Sequence, residues 1–111
     1  MAILVLLGES DPVVLVLATV TGDEMPNDDG NSKLEVYNQS AGALRVTAVE
    51  QRECGYGEKN VHVASTVSIA AGDRVPVGKF NPYRYNNTFR RVEFTYPDGV
   101  AGLWVAATHR P

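Results

Sequence analysis

The sequence predicts an all-β fold: an antiparallel two-sheet β-sandwich, jelly-roll or immunoglobulin-like, with about seven to nine short strands. Three observations lead to this prediction. Apolar residues come in short runs that are separated by turn-forming residues. No apolar stripe of helical period persists along the chain. Ten glycines and six prolines are scattered between the runs, which suits a fold with many turns.

Two strongly apolar runs open the chain. Residues 3–7 predict a first strand, and residues 13–20, rich in β-branched side chains, predict a second strand that is buried on both faces. Both runs are shorter than the ~18–20 apolar residues that cross a bilayer, and no Lys or Arg precedes Lys33. We therefore expect neither a membrane span nor an export signal. Residues 21–32, with four acidic side chains, predict a long exposed loop.

Alternation of apolar and polar residues predicts the middle strands. Residues 33–38 and 44–48 alternate on either side of a short turn, so they predict a hairpin. Residues 66–70 add a strand. Residues 74–80 predict a strand at a sheet edge, because Pro76 cannot donate a hydrogen bond to a ladder.

The last two strands are the clearest. In residues 91–96, Val92 and Phe94 alternate with polar residues and are predicted to face the core. Residues 103–108 close the fold, with Trp104 predicted to lie in the core. No repeat, linker or low-complexity tract divides residues 1–111, which predicts a single domain.

Charge and cysteine content narrow the class of partner. The formal net charge is -3 and the ten basic residues are spread along the chain, so we expect no nucleic-acid binding, which needs a concentrated positive field. The single cysteine cannot form an internal disulfide, which fits a chain that folds in a reducing cytoplasm.

Groups that carry chemistry are few and widely spaced. Cys54, His62 and His109 lack the paired spacing of a zinc site. The acidic stretch at residues 21–32 leaves calcium binding open, but it lacks the alternating Asp pattern of calcium loops. Glycine-rich phosphate loops and the nucleophile elbow of hydrolases are missing from the sequence. We predict no catalytic residue, no cofactor and no metal, and therefore a protein that is not an enzyme.

The most unusual stretch is residues 79–91, which hold four of the eight Phe and Tyr residues and four of the ten basic residues. Tyr and Arg are enriched at the energetic centres of protein interfaces. We predict that the two phenylalanines of the stretch point inward and pin it to the fold. The predicted interface residues are Tyr83, Arg84, Tyr85 and Arg90.

The layout of the last third carries a resemblance. A strand ends at Phe80-Asn81-Pro82, an Asn-rich loop follows, and then come the alternating strand at residues 91–96 and the apolar strand at residues 103–107. This layout resembles small β-sandwich virion proteins of tailed bacteriophages. The resemblance implies a non-enzymatic structural protein, made in the bacterial host cytoplasm and located in the virion. It would bind the capsid surface as a cement or decoration protein.

The resemblance implies the major capsid protein or another virion protein as the partner. It also implies many copies on a lattice or a homo-oligomer. A head–tail connector or another tail component of the virion is an alternative. A carbohydrate-binding module is a third, because loop tyrosines and asparagines stack on sugars and hydrogen-bond to them.

Overall fold

Two β-sheets pack face to face in the computed structural model, which describes residues 2–8, 10–51 and 66–109. Ten short strands and one helical turn lie within these ranges. In chain order they are β1 (Ala2–Ile3), β2 (Leu6–Leu7), β3 (Val16–Leu17), β4 (Asp23–Pro26), β5 (Ser32–Asn38), β6 (Leu44–Ala48), β7 (Thr66–Ile69), β8 (Arg74–Val77), α1 (Pro82–Tyr85), β9 (Arg91–Thr95) and β10 (Leu103–His109).

The two sheets are mixed. The first has the order β1-β4-β9-β6-β7, and the second has the order β2-β10-β5-β8, with β3 also paired to β10. β1 runs parallel to β4 and β2 runs parallel to β10, while the other pairings between described strands are antiparallel. The predicted β-sandwich is confirmed. The prediction of purely antiparallel sheets is wrong at these two pairings, because the first residues of the chain join both sheets.

The core lies between the sheets and follows the predicted alternation. Leu34, Val36, Val92 and Phe94 are fully buried, each on the inner face of its strand. Among the described strands β8 pairs with β5 alone, so Pro76 lies on an edge strand of the described sheet, as predicted. Trp104 is a correction: it alternates with buried neighbours on β10, is only partly buried, and its Nε1 donates to Gln39 Oε1 at 3.1 Å.

The predicted hairpin between residues 33–38 and 44–48 is wrong. β5 and β6 belong to different sheets, so the short connection between them crosses from one layer to the other. Asn38, which is fully buried, satisfies the backbone at this corner: Nδ2 donates to the carbonyls of Gly42 and Ile69 at 2.8 Å. Oδ1 accepts from Ser40 N and Ser40 Oγ. A buried side chain thus takes over the hydrogen bonds that a hairpin would have made.

Two predictions near the N-terminus are also wrong. Of residues 13–20 only Val16–Leu17 form a strand, and Val14 and Val20 are 62% and 76% exposed. β10 pairs with β2 along the rest of that edge, which leaves only two positions for this run. The predicted loop at residues 21–32 contains β4, in which Asp23 and Met25 are fully buried.

Candidate functional site

The predicted interface residues lie on the α1 loop, which we define as residues 81–90 between β8 and β9. The sequence places an Asn-rich loop after Pro82, and the structure adds one turn of helix, α1, at this point. Asn81 caps the turn, since its Oδ1 accepts from Tyr83 N at 2.9 Å, and Pro82 occupies the first turn of the helix. Asn86 N donates back to the Pro82 carbonyl at 3.0 Å, which closes the turn.

A buried pair of amides joins the α1 loop to the connection between β4 and β5. Asn27 is fully buried, and its Nδ2 donates to the Phe80 carbonyl at 3.0 Å and to Asn86 Oδ1 at 2.9 Å. Asn86 Nδ2 in turn donates to the Asn27 carbonyl at 2.7 Å. Each amide therefore fixes the other, and the start and end of the helical turn are held to one point of the sandwich.

Asn87 fixes the second half of the loop. Its Oδ1 accepts from Phe89 N at 2.9 Å and from Arg91 N at 3.2 Å, so the side chain closes the turn before β9. Its Nδ2 donates to Glu24 Oε1 at 2.8 Å and to Glu93 Oε2 at 3.0 Å. One amide therefore ties the loop to two neighbouring strands of the first sheet, β4 and β9.

Two of the predicted interface residues anchor the loop. Arg84 Nη2 donates to Glu50 Oε1 at 2.6 Å, and the Glu50 side chain is only 2% exposed. This hydrogen bond raises the pKa of Arg84 above its usual value. The Tyr85 ring is half-buried and meets the Phe80 ring edge-on, with centroids 5.3 Å apart. Phe80 is buried as predicted and contacts the Phe94 ring in the core in the same way.

The outward surface of the loop is formed by other side chains. Tyr83 and Phe89 are each 69% exposed, so the prediction that Phe89 points inward is wrong. The guanidinium of Arg91 lies 5.5 Å from the centroid of the Phe89 ring. Arg90 is exposed and has a φ of 60°, a left-handed conformation that costs a non-glycine residue about 1–2 kcal/mol. Its carbonyl accepts from the backbone N–H of Asn27 at 3.0 Å, so the backbone of Asn27 also holds this strained residue.

A recess of about 390 Å³ opens beside Tyr83. We call it the loop recess, and its lining residues are Gln51, Pro82, Tyr83, Asn86, Asn87 and Thr88. The recess combines an aromatic ring with amide and hydroxyl groups. The sequence indicated Tyr83 but gave no signal for Gln51, because Gln51 comes from a distant part of the chain.

The acidic residues predicted to share one loop are separated by the fold. Asp23 is buried and accepts from the Tyr96 hydroxyl at 2.6 Å, whereas Glu24 faces Asn87. Asp29 Oδ2 lies 2.7 Å from His109 Nε2, and this hydrogen bond holds the pKa of Asp29 below its usual value. Within the described ranges no three Asp, Glu, His or Cys side chains are grouped to hold a metal ion.

Cys54 and His62 lie outside the described residues, so the predictions about them stay predictions. No helix within the described part of the chain is long and apolar enough to span a membrane. Comparison of the chain with protein-family models, with curated proteins and with solved structures found no match.

Proposed function

We propose that this protein is a non-enzymatic structural protein of a bacteriophage particle, which binds the capsid surface as a cement or decoration protein through its α1 loop. One observation carries the proposal of a binding surface: Tyr83 and Phe89 are each 69% exposed on a loop whose backbone is held by buried amides. The assignment to a virion rests on the layout of the last third of the chain. The major capsid protein is the proposed partner.

The α1 loop is preorganised for binding. A flexible loop loses conformational freedom when it binds, and that loss subtracts from the affinity. Here Asn27, Asn86 and Asn87 already fix the loop, so less is lost on binding. An aromatic side chain exposes roughly 150–250 Å² in full, so each of the two rings offers on the order of 100–170 Å² to a partner. Truncating such a side chain at the centre of an interface costs about 1–3 kcal/mol of binding free energy.

Of the four predicted interface residues, two are poor choices for substitution in a binding experiment. Arg84 and Tyr85 support the loop, so their substitution would alter its shape as well as its surface. Tyr83 and Phe89 are better targets because their side chains face solvent. Arg90 is exposed and adds a positive charge beside Phe89. The proposed contact surface is therefore Tyr83, Phe89 and Arg90.

The test is co-sedimentation of purified variants with capsids that lack this protein. Tyr83→Ala and Phe89→Ala should each weaken binding by about 10- to 100-fold while the melting temperature stays nearly constant. Tyr37→Ala is the matched control, because Tyr37 lies on the outer face of β5 in the second sheet. Wild-type binding by both loop variants would contradict the proposed surface. Mass analysis of particles would separate a decoration protein from a head–tail connector or tail component, because the copy number differs.

The loop recess favours one alternative, a carbohydrate-binding module. An exposed tyrosine beside amide and hydroxyl groups is a platform on which a sugar ring can stack. In that case Tyr83→Ala should abolish binding to an oligosaccharide panel, whereas Phe89→Ala should have little effect, because Phe89 does not line the recess. Capsid binding instead requires both rings. The pair of variants thus distinguishes the two functions.

A further inference from the structure

We draw no further inference here: the strongest candidate, the apolar groove on the N-terminal flank that is lined by Ile3, Val5, Val14 and Val16 beside β10, carries none, because nothing in the structure shows what covers it.

Discussion

The α1 loop and the N-terminal flank both expose large apolar side chains, but they hold them in different ways. In the α1 loop the exposed rings of Tyr83 and Phe89 lie on a backbone fixed by three asparagine side chains. On the flank, between residues 3 and 20, three of the six exposed aliphatic side chains lie on strands of two residues, and three lie on the segments beside those strands. One surface is positioned by polar hydrogen bonds, and the other is a continuation of the core.

The flank has a polar anchor of its own, and it is a smaller one. Asp23 Oδ2 accepts from the Tyr96 hydroxyl at 2.6 Å and from Thr19 N at 3.1 Å, which holds the end of the flank segment to the first sheet. The other oxygen, Oδ1, is buried without a hydrogen-bond partner among the described residues. Amides with hydrogen bonds at both Oδ1 and Nδ2 therefore hold the loop, whereas a carboxylate with hydrogen bonds at only one oxygen holds the flank. The loop therefore has a fixed geometry, whereas the flank leaves apolar side chains exposed beside the core.

The largest effect is expected where the loop is anchored. Asn27→Ala removes two donated hydrogen bonds and leaves the Phe80 carbonyl and Asn86 Oδ1 without their partner, so it should lower the free energy of unfolding by roughly 2–4 kcal/mol. Urea denaturation measures the loss. Hydrogen exchange should rise in the α1 loop and stay constant on the flank. Asn31→Ala is the control, because Asn31 bonds to Asp29 through its backbone N–H, which alanine keeps. A loss below about 1 kcal/mol would show that the amides do not hold the loop.

A smaller effect is expected at the flank anchor, and it depends on pH. Burial raises the pKa of the Tyr96 hydroxyl, and its hydrogen bond to Asp23 raises it further. Above about pH 10 the unfolded chain releases this proton while the folded protein keeps it, so the free energy of unfolding should fall by about 1.4 kcal/mol per pH unit. Denaturation at successive pH values measures the slope. Tyr96→Phe should flatten it, and equal slopes in the two proteins would exclude this role for the anchor.

The smallest expected effect on stability concerns a glycine that contacts the α1 loop. Gly30 and Gly72 have nearly the same left-handed backbone, with φ of 80° and 81°. A Cβ on Gly30 would lie 3.0 Å from Pro82 Cδ, whereas a Cβ on Gly72 would meet nothing within 4 Å. Both Gly→Ala variants should lose about 1–2 kcal/mol from backbone strain, and Gly30→Ala should lose about 1 kcal/mol more. Thermal melts give the difference. Equal losses of stability in the two variants would mean that Pro82 moves to make room for the added methyl group.

The sequence predicts the inner faces of the long strands well. Strict alternation places Leu34, Val36, Val92 and Phe94 on one side of their strands, and a sandwich has only one side to bury them on. The loop was located correctly for a similar reason, since its aromatic and basic residues interrupt the alternation. Which of its rings point outward was not predictable, because Phe80 and Phe89 have the same side chain and differ only in what lies beneath them.

The errors share a cause, which is that local pattern does not reveal which sheet a strand joins. Residues 33–38 and 44–48 read as a hairpin, and only the buried side chain of Asn38 shows that the chain changes layer between them. The acidic composition of residues 21–32 concealed β4, where Asp23 is buried against Tyr96. The apolar run at residues 13–20 suggested a core strand. However, β2 pairs with part of the same edge of β10, so only Val16 and Leu17 of this run pair there.

The parallel pairing of β2 with β10 determines how the fold would respond to a mechanical load. Leu6 and Leu7 lie beside Ala107 and Thr108, and both strands run in the same direction. A force that pulls the two chain ends apart would therefore slide these strands along each other, so their hydrogen bonds would be loaded together and not opened one at a time. The antiparallel β3–β10 contact at Trp104 and Val105 comes earlier in β10, farther from the C-terminal end of the strand. The parallel β1–β4 pairing at Ala2–Ile3 lies nearer the N-terminus, so the two parallel pairings would resist tension together.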